Sequence, residues 1–86
     1  MTNPIDVNAV TRTSMLRMGQ TWQSLGKLNQ AEHTFLRIIE EHAGTKEAES
    51  AQRELLAIAA GFEAEGRLHL AIDILDRLEQ AVVTSV

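Results

Sequence analysis

Two stretches of the chain share one spacing of apolar and small residues, and this spacing decides the fold. Residues 15–38 read MLRMGQTWQSLGKLNQAEHTFLRI, and residues 55–78 read LLAIAAGFEAEGRLHLAIDILDRL. At an offset of 40 residues Gly26 coincides with Gly66, and large apolar positions coincide with one another. An internal repeat of this length is typical of stacked helical hairpins, most of which bind other proteins.

Each half of the repeat predicts two helices, because its apolar residues recur at gaps of three and four. We expect Gly26 to end the first helix in a left-handed conformation, and Asn29 and Thr45 to cap the helices that follow them. The predicted fold is all-α, with two stacked antiparallel hairpins in one domain over residues 1–86. The predicted helices cover about residues 5–25, 29–42, 46–64 and 68–83, in repeats at about 12–45 and 46–84.

The first half resembles the tetratricopeptide repeat (TPR), whose pattern is W-x2-L-G-x2-Y followed by A-x3-F. Met15 stands for the tryptophan of that pattern, Met18 and Gly19 for Leu-Gly, and Trp22 for the tyrosine. Ala31 and Phe35 fit the second part of the pattern. The resemblance implies a right-handed solenoid fragment in which Gly19 lies where two helices cross.

The second half departs further from the TPR pattern. Ala59 replaces the glycine, Phe62 the tyrosine and Leu75 the phenylalanine, and neither half has the closing proline. The period of 40 residues also exceeds the 34 of the family. The segment 42–48 looks like variants in bacterial envelope-assembly and scaffold proteins.

The composition is that of a folded domain without cross-links through cysteine. The chain has 86 residues, 44% of them hydrophobic, and it has no cysteine, which excludes disulfides and thiolate metal sites. We expect no cofactor, no signal peptide and no membrane span, and a cytoplasmic location. Three aromatic residues and a net charge of −4 disfavour nucleic-acid binding.

Charge is unevenly placed along the chain. Residues 1–31 carry three basic residues and one acidic residue, whereas residues 32–86 carry five basic and eleven acidic residues. One interpretation is a solvated surface with accidental segregation. The other is that the basic first helix faces an acidic partner surface, such as the acidic half of another copy, since complementary patches speed and orient association.

The resemblance implies a concave groove lined by the first helix of each hairpin. The positions that match the ligand-reading residues of the family's carboxylate clamp are mostly Leu, Gln and Ala, so binding of a peptide C-terminus is not supported. We expect an apolar helix or short peptide instead, unless two hairpins are too few to form a groove. The partner-binding groove is predicted at Thr13, Leu16, Gln20, Gln23, Arg53, Leu56, Ala60 and Glu63.

The last helix is predicted to hold a second interface, because it is apolar on more than one side and such helices are normally buried. Two hairpins are fewer than the three repeats that stacks usually need. We therefore expect another chain to cover this helix, most simply in a two-fold homodimer. The predicted oligomer interface consists of Leu70, Ile74 and Ala81.

Catalytic constellations are weak, and we expect no enzyme activity. His33 and His42 lie about 13.5 Å apart along one helix and cannot share a metal ion. Trp22 is interpreted as core packing, with a ligand-stacking role as the alternative. Two function classes stay open: an adaptor or assembly factor that binds a partner protein, and a small regulatory subunit that binds a small molecule or peptide, in a cavity under Trp22, and acts on a partner enzyme.

Overall fold

The computed structural model describes residues 7–84, which form four α-helices and no strand. Each described helix end lies within one residue of its predicted position, apart from the start of the first helix, because residues 5 and 6 lie outside the described residues. The prediction of an all-α chain is therefore confirmed. The helices are α1 (Val7–Ser24), α2 (Leu28–Glu41), α3 (Lys46–Ala64) and α4 (Leu68–Thr84).

The α1–α2 and α3–α4 turns have the same geometry at the 40-residue offset. Gly26 has φ 75° and Gly66 has φ 78°, a left-handed conformation that glycine adopts at little cost. After each glycine, the next backbone N–H reaches back to the helix it has left: Lys27 donates to the Trp22 carbonyl at 2.8 Å, and Arg67 donates to that of Phe62 at 2.8 Å. These are Schellman turns, and they satisfy carbonyls that the helix end leaves free.

Because the Schellman turn is so short, the second helix begins earlier than expected. The N-cap of α2 is Lys27, which makes no side-chain capping bond, so the prediction of Asn29 as N-cap is wrong. The longer α2–α3 connection does follow its sequence signals. There the Oγ1 atom of Thr45 accepts a hydrogen bond from the Ala48 backbone N–H at 3.1 Å, which confirms Thr45 as the N-cap of α3.

Consecutive helices pack antiparallel, and the core lies mostly along the two inner helices. Both α2 and α3 contact all three other helices, whereas α1 and α4 do not contact each other within residues 7–84. The molecule measures 56 × 30 × 15 Å, a thin slab in which the outer helices keep a side away from the core. The buried apolar residues are Ala31, Phe35, Ile38, Ile39, Ala48, Ala51, Leu55, Ile58, Ala59, Ala71, Ile74 and Ala81.

Gly19 lies at the crossing of α1 and α2, as predicted. A Cβ atom at this position would lie 2.5 Å from Cε1 of Phe35, closer than any side chain tolerates. The absence of a side chain therefore lets the Phe35 ring reach the α1 backbone. Phe35 itself is fully buried.

The apolar stripes of the helices predict that one set of large side chains is buried together, namely Trp22, Phe35, Leu55, Phe62, Leu75 and Leu78. This prediction is confirmed in part. Phe35 and Leu55 are buried, and Trp22, Phe62 and Leu78 are half-buried against them. The prediction for Leu75 is wrong, since this side chain is 42% exposed. The reason is the rotation of α4, which turns Ile74 rather than Leu75 towards the core.

Candidate interaction surface

Two apolar sectors run along α4, one buried and one exposed. The sequence-based prediction placed Ile74 and Ala81 of the buried sector in an interface and Leu75 of the exposed sector in the core. Ile74 and Ala81, predicted to lie in an uncovered interface, are only 2% and 3% exposed and pack inside the chain; that prediction is wrong. Leu70, the third member, is half-buried. Residues 74 and 75 point about 100° apart on a helix, so a change of one residue in register moves the whole face.

The uncovered sector of α4 is here called the α4 outer face. Leu68, Ile72 and Leu75 follow one another at gaps of four and three, and Glu79 lies on the same face, four residues from both Leu75 and Val83. The remaining side of the helix is polar and exposed throughout, so the outer face lies between this polar side and the core. The α4 outer face consists of Leu68, Ile72, Leu75 and Val83.

A similar apolar strip, the α1 outer face, runs along the first helix. It is formed by Val7, Met18 and Leu25, which are exposed, together with the small polar residue Ser14. A depression of about 370 Å³ lies along this strip beside Trp22. All residues that line this depression lie on α1 or directly after it: Ser14, Arg17, Met18, Thr21, Trp22 and Leu25.

This depression bears on the small-molecule alternative. It lies on the outside of α1 rather than under Trp22, and no second helix closes over it. Ligand sites normally enclose most of their ligand. A single helix face gives a flat platform instead, which suits another helix better than a small molecule.

Two residues of each outer face correspond to buried positions in the middle of the molecule. At the 40-residue offset Met18 matches Ile58, and their exposures are 52% and 6%. Leu75 likewise matches the fully buried Phe35. The outer helices thus repeat an inner pattern at places where no neighbouring helix covers it.

The same offset reveals an exchange of charged for apolar residues. Ile72 on α4 matches Glu32 on α2, and Val7 on α1 matches Glu47 on α3. The two glutamates are buried, whereas Ile72 is 57% exposed and Val7 is exposed as well. A surface that stays in water would show the opposite arrangement.

Both buried glutamates form ion pairs between the two hairpins. The Arg12 Nε atom on α1 donates to Glu47 Oε1 at 2.9 Å, and the Arg77 Nη1 atom on α4 donates to Glu32 Oε1 at 3.1 Å. The hydrogen bond from Arg12 lowers the pKa of Glu47 below its ordinary value of 4.5. Burial raises the pKa of Glu32, and Arg77 opposes this only in part. Neither ion pair is predicted by the sequence pattern.

The Glu32–Arg77 pair lies in a cleft of about 330 Å³ between the hairpins. Phe62 and Ile74 line its apolar side, and Asp73 adds a second carboxylate that contacts Arg77 at 3.3 Å. The charges in this cleft are therefore largely matched among themselves. Because its charged residues pair with one another, we interpret the cleft as part of the contact between the two hairpins.

The predicted groove residues lie on one side of α1 and α3, which contact each other. Leu16 and Gln23 are half-buried, and Leu16 packs against the core. The other six are exposed: Thr13, Gln20, Arg53, Leu56, Ala60 and Glu63. Of the eight groove residues only Leu56 is a large exposed apolar side chain, so this side is mainly polar, and the groove stays a prediction.

Within residues 7–84, no three His, Asp or Glu side chains lie close enough together to hold a metal ion. His33 and His69 are exposed, and His42 is half-buried at the end of α2. In the same part of the chain, no helix has the length and apolar character needed to cross a bilayer.

Comparisons with protein-family models, with curated proteins and with solved structures returned no match.

Proposed function

We propose that this chain is a small protein-binding module, an adaptor or assembly factor built from two TPR-like hairpins, and that it binds through the α4 outer face. One observation carries the proposal: Ile72 and Leu75 are exposed at positions whose equivalents on α2 are buried. Contiguous exposed apolar residues on a helix with a complete core side are typical of protein contact sites.

Support for the TPR-like arrangement comes from the geometry of the two hairpins. Their turns repeat the same hydrogen bonds 40 residues apart, and Gly19 occupies the helix crossing that the family pattern assigns to it. The order of packing, in which each helix contacts the next and the inner helices contact all others, is that of stacked hairpins. The solenoid and its family remain part of the proposal.

The proposal includes self-association, with the interface moved to the exposed residues. Leu68, Ile72 and Leu75 replace Ile74 and Ala81, which are needed inside the chain. A partner helix laid on this face would bury apolar side chains at i, i+4 and i+7, the usual anchors of helix recognition.

The test compares two variants of α4 with the same charge change. Ile72→Lys places a charge in the α4 outer face, whereas Gln80→Lys places it on the polar side of the same helix. The tagged parent and both variants are cross-linked in lysate of the source cell, and captured proteins, including further copies of the chain, are identified by mass spectrometry.

We expect Ile72→Lys to lose the proteins that the parent and Gln80→Lys both retain. Circular dichroism should show equal helix content in all three. Identical captured sets for the two variants would overturn the assignment of the α4 outer face.

A further inference from the structure

We infer that the partner of the α4 outer face is the α1 outer face of a second copy, so that copies of this chain stack head to tail. This inference rests on the proposed function and names its partner. The alternative is a two-fold dimer in which the α4 outer faces of two copies meet.

The junction that already exists between the hairpins favours head-to-tail stacking. In that junction α2 of the first hairpin lies against α3 and α4 of the second. By the 40-residue offset, Ile72 in the α4 outer face corresponds to Glu32 on the α2 side of this junction, and Val7 in the α1 outer face corresponds to Glu47 on the α3 side. The two ends of the molecule are therefore the two halves of one kind of contact. A two-fold dimer would instead join two copies of the same half.

The apolar character of both ends also favours stacking. The ion-paired Glu32 and Glu47 of the internal junction are replaced at the ends by Ile72 and Val7. Head-to-tail stacking would bury both apolar residues at one interface. The positions of the two glutamates would be taken by Ile72 and Val7 at this interface, so it would contain no buried glutamate that lacks an arginine partner.

The charges of the two outer helices favour contact between α1 and α4. Helix α1 carries Arg12 and Arg17 and no acidic residue, whereas α4 carries three acidic residues and a single arginine. Glu79 lies within the α4 outer face, and Arg17 borders the α1 outer face. Two α4 outer faces would bring like charges together, while α1 against α4 brings opposite charges together, which favours correct encounter.

A head-to-tail contact does not close on itself, so it predicts open-ended growth rather than a dimer. The mean mass of the parent, measured by light scattering after size exclusion over a concentration series, should rise beyond that of a dimer. Since the internal junction is formed within one chain and gains from a high effective concentration, stacking between copies should need much higher protein concentrations.

The deciding experiment mixes two variants that each lack one face. Met18→Lys disables the α1 outer face and Ile72→Lys disables the α4 outer face; neither side chain belongs to the core. Each variant alone should be monomeric. Their equimolar mixture should form a one-to-one heterodimer that grows no further, because each partner supplies the face that the other lacks.

Matched controls place the same charge elsewhere on the same helices. Gln20→Lys on α1 and Gln80→Lys on α4 should assemble like the parent. Loss of assembly with Gln20→Lys would assign the contact to the predicted groove and would overturn head-to-tail stacking.

A second measurement keeps both faces apolar in case a lysine variant does not fold. The chain has no cysteine, so Met18→Cys and Leu75→Cys each introduce a single thiol. Oxidation of the mixed variants should give mainly the disulfide between different variants. Predominant disulfides between two Leu75→Cys chains would indicate the two-fold dimer and overturn the stack.

The failure of this inference can be told apart from failure of the proposed function. If Met18→Lys still dimerises and Ile72→Lys does not, stacking is wrong but the α4 outer face remains a binding site. If the parent stays monomeric at every concentration, stacking is wrong, and the lysate experiment with Ile72→Lys and Gln80→Lys decides the function.

Discussion

The two hairpins have the same turns but differ in how completely their second helices are covered. Phe35 on α2 is fully buried: its ring lies against Gly19 of α1, and α2 also contacts both helices of the second hairpin. Its equivalent Leu75 lies on α4, which no further hairpin covers within residues 7–84, and is 42% exposed. The repeat thus sets local geometry, whereas the place of a helix in the stack decides how much of its apolar surface is buried.

The largest expected effect tests this difference directly. Phe35→Ala should destabilise the chain by about 3–5 kcal/mol, since it removes a fully buried ring. Leu75→Ala should cost roughly 1 kcal/mol, because much of this side chain is already in water. Urea unfolding followed by circular dichroism measures both. Equal losses would mean that α2 and α4 are covered alike.

The next prediction concerns the pair of residues at each helix crossing. Gly19→Ala should destabilise by about 1–3 kcal/mol, since the new methyl group meets the Phe35 ring. The second hairpin has Ala59 and Leu75 at the equivalent positions. Adding Phe35→Leu to Gly19→Ala should therefore recover part of the loss.

A double-mutant cycle isolates this coupling. Phe35→Leu alone is the matched control, because it leaves space beside Gly19 that nothing fills. If the losses of the two single variants simply add, then the contact between Gly19 and Phe35 does not constrain the crossing.

The two ion pairs should respond to pH in opposite directions. Glu47 has a lowered pKa, so its contribution to stability is present above its unfolded pKa near 4.5 and is lost as the pH falls through its folded pKa. Glu32 has a raised pKa, so its contribution is present below 4.5 and is lost as the pH rises through its folded pKa.

Unfolding in urea between about pH 3 and pH 7 tests these signs with Glu47→Gln and Glu32→Gln. The stability of Glu47→Gln should approach that of the parent as the pH falls. That of Glu32→Gln should gain on the parent as the pH rises. Parallel pH curves for the parent and both variants would contradict the opposite pKa shifts.

The smallest effect sharpens the contrast between glycines. Gly61 lies inside α3, and a Cβ atom there would meet nothing within 4 Å. Gly61→Ala should therefore stabilise the chain by about 0.5–1 kcal/mol through a less flexible unfolded state. A rise in thermal midpoint checks this, and a fall would mean that the space beside Gly61 is needed.

Local signals predicted the helices and turns well. The glycine positions and the Thr45 cap depend on nearby backbone geometry, so a single sequence is enough to find them. The face of α4 could not be predicted in the same way, because Ile74 and Leu75 are both large and apolar. Only the position of α2 and α3 decides which of the two is buried.

The contacts between residues far apart along the chain could not be predicted from the sequence either. Arg12 and Glu47 are 35 residues apart, and Glu32 and Arg77 are 45 apart. Nothing in the local pattern distinguishes these charges from solvated ones. The α1 outer face was missed for a related reason: Met18 fits the apolar stripe of α1, but it lies at the edge that the stack leaves open.

The two ion pairs also have a mechanical consequence. A short connection around Gly44 joins the hairpins, and rotation about this connection would change the angle between them. One ion pair links α1 to α3 and the other links α2 to α4, so the two pairs connect different helices. Two ion pairs at separate points resist a twisting of one hairpin relative to the other that a single ion pair would permit. The angle between the two hairpins is therefore fixed by the directional hydrogen bonds of these ion pairs as well as by apolar packing.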